Sequence, residues 1–308
     1  MTYNKITMYL LNKGGVILKS LILCTTASDS ICKIALDSLE MKKIRFKHCD
    51  KPVGPHGIRA YADTVITANS YNDSVSFFYG ENLIESKEIS IGPKPNDLLM
   101  YEHNIYVVCG ESNSMVIYDL KEDKSIGEIA TESWPHSLDM DLNTNLLFVS
   151  NLESDSITVI SMDDYDIVET IQAPEYPTKV RVSNDGKKIY ICCSYLGKDK
   201  RGYIDILNIG NFQRIARVMV GYSPIDMIED AENIYVSNFT DGTISVIDKV
   251  TYKVEKVIYV GGMPKGIFKY GSVLYVADYL KSKLILIEND KIIKVIAIES
   301  EPNAMTLF

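Results

Sequence analysis

The chain has 308 residues, 46% of them hydrophobic and 24% charged, with a formal net charge of −9. That balance belongs to a folded globular protein and excludes a disordered tail or a collagen-like fibre. No run of Lys and Arg is dense enough for a general phosphate-backbone binder, so no nucleic-acid partner is expected, while length alone leaves one or two domains open.

The N-terminal stretch MTYNKITMYLLNKGGVILKSLILCTT lacks the pattern of an export signal, and no apolar run in the chain reaches about 18 residues, so neither secretion nor a membrane span is expected. Asn12-Lys13-Gly14-Gly15 can be encoded by a purine-rich run of the kind a bacterial ribosome binds, which would place the translation start near Leu18. Residues 1–15 are therefore set aside as an extension, and 16–308 are read as one domain.

From Val16 onward the sequence repeats itself. Residues 16–46 hold three strand-like runs, and 51–91, 92–131, 132–173, 174–220, 221–260 and 261–298 each hold four, divided by Asn, Asp, Gly and Ser turns. Each full unit opens on a proline. Pro55, Pro95, Pro135, Pro177, Pro224, Pro264 and Pro302 are separated by 40, 40, 42, 47, 40 and 38 residues. Four-stranded meanders at this period predict an all-β fold, a β-propeller of four-stranded antiparallel blades. The last residues, EPNAMTLF, match only a first strand, whereas residues 16–46 match only the second to fourth. The two partial units complement each other, which predicts seven blades, the ring closed by the C-terminal strand joining the N-terminal blade.

Cys24, Cys32, Cys49, Cys109, Cys192 and Cys193 include no CxxC pair and sit mostly in apolar runs. They read as small buried hydrophobes in a reducing, cytoplasmic protein.

The segments IYVSNFTDGTISVID (234–248), LFVSNLESDSITVIS (147–161) and LYVADYLKSKLILIE (274–288) resemble the YVTN-type repeat of bacterial and archaeal seven-bladed propellers. The resemblance covers residues 16–308 and implies that fold, with binding roles more common than assigned chemistry. A second, local resemblance covers one unit: Trp134-Pro135-His136-Ser137 with the strand and acidic turn after it is similar to the lactonase propellers. The further His, Arg and Glu positions of those enzymes have no equivalents here.

In a propeller the first strand of each blade lines the central channel, so the residues after the start prolines should surround its mouth. They are His56, Asn96, His136, Thr178, Ile225, Lys265 and Asn303, preceded at the rim by Gly54, Lys94, Trp134, Tyr176, Ser223, Met263 and Glu301. His56 and His136 are the candidate catalytic residues, since imidazole exchanges protons near neutral pH. Asn96, Trp134, Tyr176, Thr178, Lys265 and Asn303 are the candidate ligand contacts, though the same polar groups would also serve to hydrate a channel. Asp97, Asp139 and Asp226 form no ligand motif with the histidines, so no metal and no cofactor are expected. Asp29, Asp73, Asp155 and Asp241 recur in second turns and read as turn-forming side chains. His48 and His103 read as surface residues. The longest unit carries an enlarged turn, SYLGKDKRGY (194–203), with a local basic knot of Lys198, Lys200 and Arg201.

The sequence thus predicts a monomeric, non-enzymatic binding propeller whose mouth takes a small polar ligand or whose face takes a protein partner. The alternatives are a lactonase-like hydrolase or streptogramin-lyase-like enzyme using a mouth histidine, and a pure protein-interaction scaffold.

Overall fold

The computed structural model describes residues 19–47 and 51–308. The expectations for the translation start, for His48 and for Cys49 lie outside them.

Seven four-stranded antiparallel sheets take up all 28 strands of the described residues. The fold is a seven-bladed β-propeller, and no helix among the described residues is long and apolar enough to cross a membrane. Blade one has the composite build that the partial units predict: Pro302–Leu307 pairs antiparallel with Ser20–Thr25, matching Leu23 to Met305 and Thr25 to Pro302. Reciprocal backbone bonds between Ser20 and Phe308, 2.7 and 2.8 Å, seal the joint.

The chain divides into two compact units. Thr131–Pro264 holds blades four, five and six, and Lys265–Phe308 with the chain up to Ala130 holds blades seven, one, two and three. In each unit the first strands of neighbouring blades pack on one another, Pro302–Leu307 on Pro55–Tyr61 and that on Pro95–Tyr101 in one, Pro135–Asp141 on Pro177–Val182 in the other. This makes the first strand the inner one.

The cores lie between blades. Ile22, Cys24, Ile31 and Ile44 of blade one meet Ile58, Val65 and Phe78 of blade two, while Phe148, Ile157 and Val159 of blade four meet Val180, Ile189 and Ile191 of blade five. A second strand therefore has apolar residues on both faces, as in Asn104–Cys109, buried at every position but the first. The outer strand Lys291–Ala297 is exposed at all positions but one.

Polar groups inside this core are paired by a repeated device. The Asn ending the second strand donates through its amide to two hydroxyls of the third: Asn69 to Ser74 and Ser76, Asn151 to Ser156 and Thr158, Asn238 to Thr243 and Ser245, all within 2.8–3.0 Å. Burying an amide demands such partners. Cys24, Cys32, Cys109, Cys192 and Cys193 are free thiols and buried, as their apolar surroundings suggest. Burial pushes the Cys109 and Cys192 thiols up to about 12.

Candidate functional site at the inner strands

The approach to each first strand is fixed by backbone geometry. The residue before the start proline adopts the left-handed conformation in six of seven blades: Gly54, Lys94, Trp134, Tyr176, Ser223 and Glu301, with φ between 50° and 59°. For the five non-glycine residues this costs about 1–2 kcal/mol each, so something must hold them. Their carbonyls do so by accepting the N–H that follows the second strand of the same blade, as Trp134 accepts from Leu152 at 2.9 Å and Tyr176 from Ser194 at 2.9 Å. The preceding blade adds a clamp. Asp29 accepts from the N–H of Gly54, Asp73 from Lys94 and Asp155 from Tyr176, each at 2.9 Å. The recurring turn aspartates are therefore structural; they tie one blade to the next rather than only closing their own turn. Asp241, one place earlier in its turn, accepts instead from Tyr222, the last residue of blade five's outer strand, at 2.9 Å.

A bulge follows Pro55, Pro95, Pro135, Pro177 and Pro224. Pro55 pairs with Asn69 and Gly57 with Ala68, leaving His56 out of the ladder, and the same shift isolates Asn96, His136, Thr178 and Ile225. An unpaired bulge residue can aim its side chain away from the strand pairing, which is why these positions are free to differ from blade to blade.

In blades seven, one, two and three the residues after the start prolines are Lys265, Asn303, His56 and Asn96. Two glycines draw these strands together. A Cβ on Gly266 would stand 2.0 Å from the Asn303 carbonyl oxygen, and one on Gly57 would stand 2.8 Å from that of Asn96. His56 Nδ1 lies 2.8 Å from the Asn96 carbonyl oxygen. A carbonyl only accepts, so Nδ1 carries the proton and Nε2 is the basic nitrogen of the neutral ring. The Lys265 ammonium lies 4.8 Å from the centroid of the Tyr279 ring. Burial, and next a hydrogen bond to Glu301, raise the Tyr279 phenol to about 12, so it acts as a donor and not a base. Asn303 is 5% exposed, and its amide nitrogen is buried with no hydrogen-bond partner. Beneath this row, Arg59 and Asp97 pair at 3.1 Å.

Blades four, five and six carry His136, Thr178 and Ile225 at the same positions. His136 Nδ1 lies 2.7 Å from the Thr178 carbonyl oxygen, the bond made by His56. The Thr178 hydroxyl lies 3.2 Å from the carbonyl oxygens of Cys192 and Pro224. Arg181 and Asp226 sit 3.9 Å apart, in the register of Arg59 and Asp97. Asp139 accepts from the Val182 N–H at 2.9 Å. The three aspartates that follow the bulge thus serve contacts between blades, and no group of three His, Cys, Asp or Glu among the described residues has the spacing of a metal site.

Trp134 and Tyr176 are half-buried at the rim, and Lys198 lies 5.9 Å from the Tyr176 ring centroid. His103 is exposed, in keeping with a surface role. The Arg59–Asp97 and Arg181–Asp226 pairs, Tyr71 beneath Lys94 and Tyr279 beneath Lys265 escaped the sequence reading. Their signal was present: an Arg four places after one start proline and an Asp two places after the next, occurring twice.

No protein-family model matches the chain. A stretch of 91 residues is 25% identical to the uncharacterized protein YncE of Salmonella typhimurium, spanning 29% of this chain and only 25% of that relative's length. Among solved structures, a functionally unknown protein from Desulfotomaculum acetoxidans is similar with a TM-score of 0.76 at 13% identity, over 94% of this chain and 98% of the other. Kuenenia stuttgartiensis hydrazine synthase is similar with a TM-score of 0.69 at 16% identity, over 85% of this chain and 92% of that one. At such identities the likeness carries the propeller fold and no activity.

Proposed function

We propose that the protein is a non-enzymatic, cytoplasmic binding propeller of the YVTN-repeat kind, and that blades seven, one, two and three hold a small polar ligand at the residues after their start prolines. The observation that carries this is the row Lys265, Asn303, His56 and Asn96, four polar side chains one residue after the start prolines of neighbouring first strands, with the backbone ahead of His56 and Asn96 clamped by the preceding blade. A preorganised polar row lowers the ordering cost of binding. The unpartnered Asn303 amide adds support, because a half-turn of the amide exchanges its nitrogen and oxygen and offers donors to a ligand. Five buried, reduced thiols favour the cytoplasm.

The test is thermal unfolding of the full chain against a panel of sugars, amino acids and small organic acids. At least one compound should raise Tm by more than about 2 °C, the scale of a ligand held well above its Kd. Asn96→Ala and His56→Ala should remove that shift while leaving the unliganded Tm within a few degrees. A shift that survives both substitutions would move the site elsewhere.

One observation favours a second reading, a hydrolase or lyase. The paired Nδ1 bonds of His56 and His136 set Nε2 as the base in both rings. Turnover of a lactone that is lost in the His56→Ala, His136→Ala double variant would establish it. Turnover that persists would remove both rings from the chemistry.

A further inference from the structure

Gly54 is a glycine for a reason other than its backbone angle. Five other blades place a residue with a side chain, Lys94, Trp134, Tyr176, Ser223 or Glu301, in the same left-handed conformation before the start proline. Space makes the demand instead. A Cβ on Gly54 would stand 2.4 Å from two atoms of the Tyr71 ring and 2.8 Å from a third, so the ring lies where a side chain at 54 would go. Blade two gives up its rim side chain and sets an aromatic ring on bare backbone two residues ahead of His56. With one side against that backbone Tyr71 is still 49% exposed, so the rest of the ring is open to solvent.

A second ring stands close by. Lys94 holds its ammonium 5.0 Å from the Tyr71 centroid, as Lys265 does over Tyr279 at 4.8 Å. Burial first, and then Glu301, raise the Tyr279 phenol, and the Tyr71 phenol adds to the rise, so the two rings are neighbours across blade one. The turn of blade one that corresponds to them is Thr26–Ser28, three small residues. Tyr71 rests on Gly54, two residues before His56, and Tyr279 bonds Glu301, two residues before Asn303. The rings therefore mark the approaches to adjacent members of the row, one of which is the buried Asn303 amide nitrogen without a partner.

Charge narrows the class of ligand. Lys94, Lys265 and Arg59 stand among Asp29, Asp73, Asp97, Asp278 and Glu301, which leaves no positive excess to hold an organic acid. Nor do these carboxylates wait for an amine. Asp29 accepts from the N–H groups of Val53 and Gly54, Asp73 from that of Lys94 and Asp278 from that of Lys281, while Asp97 pairs with Arg59 and Glu301 bonds Tyr279. The two ammonium groups over the rings would also repel an amine. A neutral ring compound meets none of these costs: its C–H face packs on an aromatic ring, and its hydroxyls accept from an amide or an ammonium. Lys94 makes no ion pair among the described residues, so its flexible stem can carry the ammonium from the ring to such a hydroxyl.

We infer that the ligand of the row is a neutral sugar in its ring form and that Tyr71 is the platform on which it stacks. This deepens the proposed ligand site and rests on it.

Saturation-transfer NMR on the full chain tests the inference, with glucose, galactose, mannose and xylose set against citrate, malate, glutamate and putrescine. At least one sugar should bind with a Kd on the order of 1 mM, its ring C–H protons receiving the transfer. Tyr71→Phe should hold that affinity within about threefold, and Tyr71→Ala should weaken it by at least about tenfold. Gly54→Ala displaces the ring and should weaken binding to a similar degree, yet add nothing in the Tyr71→Ala background, a coupling that general loss of stability does not produce. Sugar binding that survives Tyr71→Ala overturns the inference. So does binding of an acid or amine alone; if that binding is lost in His56→Ala and untouched by Tyr71→Ala, the ligand site stands and only the sugar falls. Silence from every compound removes both.

Discussion

Blades four to six and blades seven to three share one backbone plan and differ in the side chains they place after the start prolines. Both tie a bulge histidine to the carbonyl of the next blade, at 2.8 Å for His56 and 2.7 Å for His136. Both place an Arg and an Asp of neighbouring first strands in the same register. After the start prolines the two diverge: Thr178 satisfies its hydroxyl on backbone carbonyls and Ile225 is apolar, whereas Lys265 and Asn303 add an ammonium and an unpartnered amide nitrogen. Features common to both regions serve the fold. What only one of them has requires another explanation, and the proposed ligand site offers one.

The largest effect should come from the two glycines of the second region that lie against the neighbouring first strand. Gly266→Ala would press a methyl to 2.0 Å from the Asn303 carbonyl oxygen, and Gly57→Ala to 2.8 Å from that of Asn96. Both contacts are with backbone, so strands must shift, at about 2–4 kcal/mol. Ser137 is the matching residue of blade four, and its buried hydroxyl has no partner. Ser137→Ala should be neutral or stabilising by up to about 1 kcal/mol. Urea unfolding of the three variants checks this; equal losses would mean that the glycines do not set the geometry of the row.

The asparagine knots come next, as a control on what the regions share. Asn69→Ala takes a partner from the buried hydroxyls of Ser76 and Thr67, Ser74 keeping Asn72, and Asn151→Ala takes one from Ser156 and Thr158, so each should cost about 2–3 kcal/mol. A difference above about 1 kcal/mol between them, measured by the same unfolding, would show that the blades are not equivalent scaffolds.

These effects separate what the sequence displays from what it hides. The start prolines, the turn signals and the split first unit display strand order and ring closure, because each is a local cue repeated along the chain. Proline adjacency likewise marks His56, Asn96, Lys265 and Asn303, since each follows the proline that opens a first strand. Hidden are the relations between blades. Nothing near Asp73 in sequence announces that its carboxylate will hold Lys94, 21 residues on, and nothing near Asn303 announces an unpaired amide. Those depend on how closely two strands approach, which Gly266 sets from 37 residues away.

The rim offers a smaller test. Lys94 and Trp134 lie in different regions and both sit at φ near 57°. Glycine adopts this conformation freely and alanine does not. At each site the Gly variant should be about 1 kcal/mol more stable than the Ala variant, an ordering opposite to that in ordinary strands. Comparing Gly with Ala cancels the loss of the native side chain. An unchanged order would mean that the clamp relaxes when the side chain is cut back, and that the strained rim is not rigid.

The smallest effect concerns the approach to Asn303. Glu299 meets Lys43 at 2.6 Å, and that hydrogen-bonded ammonium holds its carboxyl below the usual value. Because the folded form binds this proton less readily than the unfolded form, the pair contributes stability above the unfolded value of about 4.5 and loses it as pH falls through the lower folded value. Both side chains are about a quarter exposed, so the contribution is near 0.5 kcal/mol and falls with salt. Glu299→Gln should therefore lower the urea midpoint slightly at pH 7 and match the native protein near pH 3. If the gap persists at pH 3, its origin is packing and not charge. The pair ties the segment leading to Asn303 onto blade one, so a substitution that leaves stability nearly intact yet weakens ligand binding would show that the row needs its approach held still as well as its side chains.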